Sequence, residues 1–420
     1  MSTFIPWKII HLELSEGIPP LPATPDCQGI YLVFWWHGIP LDHQEIPAAE
    51  LPMPATQLLN RVLQTIAPAV GDRILPQDKN SSPDWHSQVG VKNPSEQLRE
   101  CWSNPVDELV SVVICTRDRS QELAKCLRSL QSLSHHPQEI IVVDNAPSTE
   151  TTRQLVSQMP DVRYIQEPRP GLSVARNTGI RHSTGKIIAF TDDDVTVHPN
   201  WIAQLQQSFQ NPQVMAVTGL VIPAELETES QVIFEMNHGC LSGEYRAKTF
   251  DQEFFQETKH RGVPVWTIGA GANMAFRREI FEQVGDFDER LGAGASGCSE
   301  DSEFWYRILA EGWLCRYEPT AVVFHYHRRE LDTLKQQMYQ YMRGHNAALL
   351  IQFARYKHWG NLLRLFVILP VYYALVLLKG LLRGFGLRHR TYLEEVWGCL
   401  AGIKFYLQNR VSGKRLPNIS

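Results

Sequence analysis

Three consecutive carboxylates, Asp192, Asp193 and Asp194, come one residue after the apolar run 186–190. Carboxylates held this close repel one another unless a cation neutralises them. A hard divalent cation with oxygen ligands does this, typically as Mg²⁺ or Mn²⁺ bridging a diphosphate. The alternative is a solvated acidic turn that caps the next helix. Because the triplet follows a predicted buried strand, we expect a metal site.

A second acidic cluster, formed by Glu300, Asp301 and Glu303, begins a predicted helix directly after Ser299. Ser299 is a favourable N-cap residue, and acidic side chains in a first turn also complement the helix dipole without any catalytic role. The glycine-rich segment 292–297 precedes the helix and favours a mobile loop able to close over a substrate. A carboxylate beside such a loop is well placed to act as a general base. Composition alone leaves both interpretations open.

Two histidines, His325 and His327, lie two residues apart on the predicted strand 321–328, so their side chains share one face. A neutral imidazole at His325 can complete the coordination of a metal ion. A single histidine on a strand is more often a structural, hydrogen-bonded residue. The residues themselves do not decide between these alternatives.

Alternating strand and helix signals between about 107 and 330 position these groups. Predicted strands are 109–115, 139–144, 162–166 and 186–190, and predicted helices begin near 120, 149 and 172. Alternation at this spacing predicts a doubly wound α/β sheet. Ligands of such sheets bind beyond the carboxyl ends of the strands, where Thr116, Arg117 and Asp144 stand with the acidic triplet.

Composition excludes several classes of protein. The chain has 420 residues, and its eight cysteines are scattered without a CxxC pair, which argues against a disulfide-rich scaffold or a structural zinc module. The net charge of −5 is unevenly distributed, because Arg355–Ser420 holds eleven Lys and Arg but two Glu, a net charge of +9. An acidic body with a basic tail is not typical of nucleic-acid-binding proteins, so no nucleic-acid partner is expected.

The C-terminal segment combines this positive charge with apolar residues. The predicted regions are 1–105, a small α+β module and linker; 106–330, the α/β domain; and 331–420, a basic helical region. The uncharged run Leu365–Leu378 has fourteen residues, fewer than the roughly 20 that span a bilayer. We expect an in-plane or re-entrant helix on a membrane surface. The alternatives are a single span that includes Arg364 and Lys379, and a helix buried in the core.

Several motifs in the middle of the chain, in the order found here, resemble the family 2 glycosyltransferases with the GT-A fold. The matching segments are Val110–Arg119, Ile141–Asn145, Gly171–Gly179, Gly185–Asp194, Gly271–Arg278, Val284–Glu289, Glu300-Asp301 and His325–Arg328. Each motif is weak alone, but their order over about 220 residues is a strong signal.

The resemblance implies a GT-A-type α/β domain of an inverting enzyme. Such an enzyme moves a sugar from a nucleotide-diphosphate sugar to a hydroxyl of a glycan or lipid-linked acceptor, as in polysaccharide biosynthesis. The resemblance assigns Thr116, Arg117, Asp144, Arg176 and Asp192 to the donor nucleotide, Asp192, Asp194 and His325 to a divalent cation (Mn²⁺ or Mg²⁺), and Asp301 and Glu300 to catalysis, with Asp301 as the base. Asp193 extends the usual DxD pair, so which of the three carboxylates contacts the metal is open.

Together with the basic tail, the resemblance predicts a protein on the cytoplasmic face of the membrane, peripheral or monotopic, with a single span as the alternative. Two other functions remain. A nucleotidyltransferase also uses a carboxylate–metal site, but no glycine-rich phosphate loop with a basic partner follows the first predicted strand of the α/β domain. A non-catalytic nucleotide-sugar-binding scaffold does not need both the acidic triplet and the pair Glu300-Asp301.

Overall fold

The protein is described by a computed structural model that covers residues 4–74, 108–239 and 244–410. Its strands are β1 Trp7–Glu13, β2 Gly29–Trp36, β3 Ile39–Pro47, β4 Val110–Thr116, β5 Glu139–Asn145, β6 Val162–Glu167, β7 Ile187–Asp192, β8 Val195–Val197, β9 Val214–Pro223, β10 Lys248–Phe250, β11 Asn273–Arg277 and β12 Leu314–His325. Its α-helices are α1 Ala55–Ile74, α2 Ser120–Gln131, α3 Thr151–Val156, α4 Leu172–His182, α5 Trp201–Ser208, α6 Glu229–Val232, α7 Gln252–Thr258, α8 Ile280–Val284, α9 Glu300–Ala310, α10 Leu331–Tyr356, α11 Gly360–Leu363, α12 Leu369–Arg383 and α13 Tyr392–Asn409.

A mixed nine-stranded sheet forms the centre of the molecule, in the order β10-β12-β9-β11-β7-β4-β5-β6, with β8 paired to β12. Strands β4 to β7 are mutually parallel, as the alternation of strand and helix signals predicts. Strand β11 runs antiparallel between β7 and β9, which makes the sheet mixed. The predicted α/β domain is therefore confirmed.

Apolar side chains cover both faces of this sheet. The strand β5 is buried along almost its whole length, which explains its continuous Ile-Ile-Val-Val run. On one face α2 packs with Leu123, Cys126, Leu127 and Leu130, which recur at helical spacing. On the other face an aromatic cluster surrounds Phe304 of α9. The two layers hold the carboxyl ends of β4 and β7 side by side.

The N-terminal region forms a separate sheet of three strands, β1-β2-β3, with α1 packed against it. Alternate residues of β2 serve two cores, because successive side chains of a strand point to opposite faces. Phe34 lies in the core shared with α1, whereas Tyr31 and Val33 pack against Leu220 and Val322 of the large sheet. The linker predicted at the end of region 1–105 lies outside the described residues.

Glycines allow close packing of the long C-terminal helices. A Cβ atom at Gly344 of α10 would lie 2.4 Å from the carbonyl oxygen of Cys298 in the α/β domain. One at Gly402 of α13 would lie 2.4 Å from the carbonyl oxygen of Arg343 in α10, so α13 packs on α10. The segment Gly360–Arg383 is a continuous helical stretch of 24 residues, long and apolar enough to cross a membrane, and 22% of its most apolar window is buried. A helix buried in the core, one of the three alternatives, does not fit this exposure.

Candidate active site

A cavity of about 1640 Å³ opens at the carboxyl ends of β4 and β7. The residues assigned from sequence that line it are Thr116, Arg117, Arg176, Asp192, Asp194, Glu300, Asp301 and His325. Asp144 does not line this cavity: it is buried and accepts a hydrogen bond of 2.9 Å from the Tyr164 hydroxyl. The sheet thus brings all the predicted site residues but one to a single space.

The carboxylates of the acidic triplet have different partners. Asp193 accepts hydrogen bonds from the Thr116 hydroxyl (2.7 Å) and from the Arg119 guanidinium (2.5 Å). Burial raises its pKa to about 7 even with Arg119 beside it. Asp194 accepts a second Arg119 hydrogen bond at 2.9 Å. Because Asp193 and Asp194 are both buried, the alternative of a solvated acidic turn is wrong.

Asp192 and Asp194 converge on His325. One ligand atom from each of Asp192, Asp194 and His325 lies within 4.8 Å of the others. Pairing of β12 with β8 sets His325 opposite Val195, directly beside Asp194. Burial lowers the pKa of His325 to about 4, so its imidazole is neutral at pH 7 and keeps a lone pair. Two carboxylates and a neutral imidazole form a donor set that fits a divalent cation.

Three arginines supply much of the neutralisation that was expected from a metal. The resemblance assigns one of them, Arg176, to the donor nucleotide and gives no role to Arg119 or Arg328. Arg119 pairs with Asp193 and Asp194, Arg176 lies 3.6 Å from Asp192, and Arg328 lies 3.8 Å from Asp194. With Glu300 and Asp301 included, five carboxyl groups face these three guanidiniums. Burial raises the pKa values of Asp193 and Glu300 to about 7, so these two are only partly charged at neutral pH, and the cluster keeps a net negative charge that a divalent cation can neutralise. Arg119 is the last residue of the motif Val110–Arg119, and Arg328 is the last residue of the motif His325–Arg328. Both are therefore visible in the sequence.

The start of α9 separates the roles of Glu300 and Asp301. Glu300 is buried and bound to the Arg176 guanidinium at 2.5 Å, and burial raises its pKa to about 7. Asp301 is partly exposed and lines the cavity. Of the two, Asp301 is therefore the carboxylate that an incoming hydroxyl can reach. Glu303 is also buried, paired with Arg307, so neither glutamate is a solvated partner of the helix dipole.

One local prediction around α9 is wrong. Ser299 has a left-handed backbone (φ 70°) and its side chain makes no capping hydrogen bond, so it is not the expected N-cap. The glycine-rich segment 292–297 lines the cavity with Ala293, Gly294 and Gly297, and Leu172 N donates to Ala293 O at 2.9 Å. Its mobility stays a prediction. A Cβ at Gly297 would lie 2.7 Å from the Gln340 carbonyl oxygen, because α10 covers this segment.

A buried chain of hydrogen bonds supports His325 from behind. Its Nδ1 lies 2.9 Å from Nδ1 of His327, whose Nε2 lies 3.0 Å from Glu235, and Glu235 in turn accepts a bond of 3.2 Å from the Tyr31 hydroxyl. Because Glu235 accepts from Nε2 of His327, Nδ1 of His327 acts as an acceptor and Nδ1 of His325 donates to it. Nε2 of His325 is then left unprotonated, facing Asp194 at 3.4 Å. No local sequence pattern connects Tyr31 or Glu235 with this site.

The Glu235→Gln substitution is expected to weaken Mn²⁺ binding by roughly 10- to 100-fold, the usual effect of changing a group that orients a metal ligand. The amide introduced at position 235 can donate a hydrogen bond to Nε2 of His327. Nδ1 of His327 then carries the proton and donates to Nδ1 of His325, which moves the proton of His325 to its Nε2. Titration calorimetry with Mn²⁺ measures the effect directly. Glu227→Gln, an exposed glutamate outside this chain of hydrogen bonds, is the control. Equal affinities in the two variants would contradict the proposed support of His325.

Residues 111–285 match the family model described as glycosyl transferase family 2. This region of the chain is therefore a glycosyl transferase family 2 domain, as the motifs predict, and the mixed sheet confirms the predicted α/β fold class.

Several named proteins are similar to part of the chain. A pre-mycofactocin glycosyltransferase of Mycobacterium tuberculosis is 29% identical over 235 residues, which cover 54% of this chain and 45% of the relative. A glucosyl-dolichyl phosphate glucuronosyltransferase of Haloferax volcanii is 26% identical, covering 44% of this chain and 57% of the relative. The succinoglycan biosynthesis protein ExoM of Rhizobium meliloti is 29% identical, covering 51% and 65%. The chain thus spans about half of the length of these relatives.

Among solved structures, a mannosyltransferase of Pyrobaculum calidifontis in complex with GDP-Man and Mn²⁺ aligns over 75% of this chain and 94% of its own, with 16% sequence identity and a TM-score of 0.49. This likeness is too distant to support a conclusion about the ligands of the present protein.

Proposed function

We propose that the protein is an inverting glycosyltransferase that moves a sugar from a nucleotide-diphosphate sugar to a hydroxyl of a glycan or lipid-linked acceptor. The observation that carries the proposal is the convergence of Asp192, Asp194 and His325 in one cavity with the accessible carboxylate of Asp301. The family 2 domain at residues 111–285 supports the same class of reaction.

Asp192, Asp194 and His325 would hold a divalent cation beside the donor diphosphate. Mn²⁺ or Mg²⁺ bound there would supply electrostatic stabilisation of the charge on the departing nucleoside diphosphate. Arg176 lies between Asp192 and Glu300 and keeps both carboxylates in place. The nucleoside lies toward Thr116 and Arg117 at the end of β4.

Asp301 acts as the general base. It takes the proton of the acceptor hydroxyl while the oxygen attacks the anomeric carbon from the face opposite the leaving group. The new bond forms as the bond to the diphosphate breaks, so one displacement inverts the configuration at that carbon. Glu300 cannot share this role while it is bound to Arg176, and it acts as a positioning residue.

The test is a panel of nucleotide sugars added to the full-length protein with Mn²⁺. A true donor is expected to raise the melting temperature, because a ligand that binds only the folded state stabilises it by mass action. Once an acceptor hydroxyl, or slowly water, takes its sugar, the donor is also expected to yield free nucleoside diphosphate, and EDTA should abolish both effects. Release of pyrophosphate in a parallel reaction with nucleoside triphosphates and sugar 1-phosphates would indicate a nucleotidyltransferase instead. If no nucleotide sugar binds in the presence of Mn²⁺, the proposal fails.

We further propose that region 1–105 supports His325 through Tyr31.

We also propose that region 331–420 holds the catalytic region 106–330 on the cytoplasmic face of a membrane. Exposed apolar side chains cluster in the C-terminal region: Phe366, Val367, Val371, Leu375, Leu378, Leu381, Leu382, Phe385, Leu393, Trp397 and Leu400. Exposed basic side chains such as Lys379 and Arg383 flank them. Apolar groups can enter the lipid while each basic group adds about 1 kcal/mol near an anionic surface.

The double substitution of Leu381 and Leu382 by Ser is expected to weaken binding to anionic phosphatidylglycerol vesicles more than tenfold. These leucines are 66% and 75% exposed, and burying one leucine contributes about 1.5–3 kcal/mol. Co-sedimentation at low salt measures the effect. The control is the same double change at Leu59 and Leu63 of α1, which are 42% and 47% exposed. If both double variants bind like the original protein, α12 does not contact the membrane.

A further inference from the structure

The cavity extends from the acidic cluster to the C-terminal helices, where an arginine without a carboxylate partner lines it. Arg364 begins the π-helical turn Arg364–Ile368 that joins α11 to α12. Its guanidinium stacks on the Trp266 ring at 3.9 Å, and its Nε contacts Nε2 of His345 at 3.2 Å. Within the described residues, no carboxylate oxygen lies within 4.0 Å of it. Its two terminal nitrogens keep their N–H groups for another acceptor.

Arg364 differs in this respect from every other described Lys or Arg that lines the cavity. The paired cations are Arg117 with Asp118, Arg119 with Asp193, Arg176 with Glu300, Lys248 with Glu244, Arg328 with Asp194 and Arg388 with Glu395. A partly buried cation without a counter-ion costs free energy, and an anionic ligand recovers that cost when it binds. The unpaired guanidinium therefore marks the place of an anion.

This place is close to the proposed base. Trp266, on which Arg364 stacks, is five residues before Gly271, and a Cβ at Gly271 would lie 2.9 Å from Oδ2 of Asp301. Five residues of chain span at most about 18 Å, so a ligand that contacts Arg364 can reach Asp301 with a short extension.

The surroundings of Arg364 define the chemistry of the anion. Two residues beyond Arg364, the same helical segment continues into exposed apolar side chains, starting with Phe366, Val367 and Val371. A cation next to an apolar surface suits a ligand in which a phosphate is joined to a lipid chain. The planar guanidinium fork suits phosphate oxygens, which it can bind through two parallel N–H groups.

We propose that Arg364 binds the phosphate of a lipid-linked acceptor, whose apolar chain leaves along the exposed face of α12 while its sugar end reaches Asp301. The inference rests on the proposed glycosyltransferase function. It narrows the acceptor from a glycan or lipid-linked molecule to a sugar that is joined to its lipid chain through a phosphate. The phosphate of the donor stays at the other end of the cavity, with the metal ligands.

Farnesyl phosphate, farnesol and inorganic phosphate are the probes, titrated into the full-length protein in a neutral detergent. Farnesyl phosphate carries both the anion and the apolar chain, and each of the others lacks one. It is expected to bind most tightly, and Arg364→Gln should weaken it roughly 10- to 100-fold, as loss of a charged hydrogen-bonding partner does. Arg364→Lys should recover part of the loss. Arg128→Gln, an exposed arginine of α2 outside the cavity and away from the C-terminal helices, is the matched control and should bind farnesyl phosphate unchanged.

The melting temperature of each variant is measured alongside, because Arg364→Gln removes a cation without a carboxylate partner but also its stacking on Trp266 and its bond to His345. Equal farnesyl phosphate affinities in folded Arg364→Gln and Arg128→Gln overturn the proposal. So does inorganic phosphate that binds as tightly as farnesyl phosphate, because the lipid chain then contributes nothing.

A nucleoside diphosphate with Mn²⁺ is titrated into the same proteins. If Arg364→Gln weakens that binding, Arg364 belongs to the donor site and the lipid phosphate proposal is wrong. If the unmodified protein binds no nucleoside diphosphate and no nucleotide sugar, the glycosyltransferase function itself fails, whatever the result with farnesyl phosphate.

Discussion

Replacing Asp301 by Asn is expected to lower the rate of sugar transfer by about 10²–10⁴-fold, the usual contribution of a general base. Asparagine has the shape of aspartate but cannot take the proton of the acceptor hydroxyl. Its side-chain oxygen can still accept the hydrogen bond of 2.6 Å that Ser302 N donates to Asp301, so the start of α9 is preserved. Single-turnover rates with saturating donor measure the loss, and donor affinity should change little.

The neighbouring substitution Glu300→Gln provides the contrast. Glu300 is the buried partner of Arg176, so its loss of charge leaves that guanidinium with Asp192 at 3.6 Å as its nearest carboxylate. We expect a lower melting temperature and weaker donor binding, since breaking a buried ion pair is destabilising. If Asp301→Asn loses donor binding and keeps its rate per bound donor, Asp301 belongs to the donor site and is not the base.

The parts of the fold that the sequence predicts are those with local causes. Helix α4 occupies the predicted residues 172–182, and β5 extends the predicted strand 139–144 by one residue. Continuous apolar runs and helical spacing depend on nearest neighbours along the chain. Parallel strands also end at one edge of a sheet, so Thr116 and the acidic triplet had to meet once β4 and β7 were neighbours.

The parts that the sequence does not predict depend on contacts between distant segments. The neutralisation of the acidic triplet by Arg119 and Arg176 requires the register of strands and helices, which periodicity does not contain. Tyr31 reaches Glu235 across 204 residues, and Arg364 meets Trp266 only because α11 packs beside the segment that follows α7. The packing of the glycine-rich segment 292–297 also depends on a distant segment, because Gly297 lies against Gln340 of α10.

Replacing Asp194 by Asn is expected to reduce Mn²⁺ affinity by more than about 100-fold and to abolish metal-dependent donor binding. The loss should exceed the roughly 10- to 100-fold that changes behind a metal ligand cause, because a carboxylate ligand itself is removed. The fold should survive, since Arg119 keeps its bond to Asp193 and Arg328 is a largely exposed side chain. Calorimetry with Mn²⁺, followed by donor titration, measures both effects.

The matched control is Asp193→Asn, the same chemical change one residue earlier. Asp193 faces Thr116 and Arg119 and does not belong to the cluster formed by Asp192, Asp194 and His325. Burial raises its pKa to about 7, so at neutral pH the substitution removes only part of a charge. Mn²⁺ affinity should then change no more than a few-fold. Equal losses in the two variants would mean that total negative charge, and not the position of one carboxylate, determines metal binding. Full activity of Asp194→Asn in the presence of EDTA would remove the metal from the mechanism altogether.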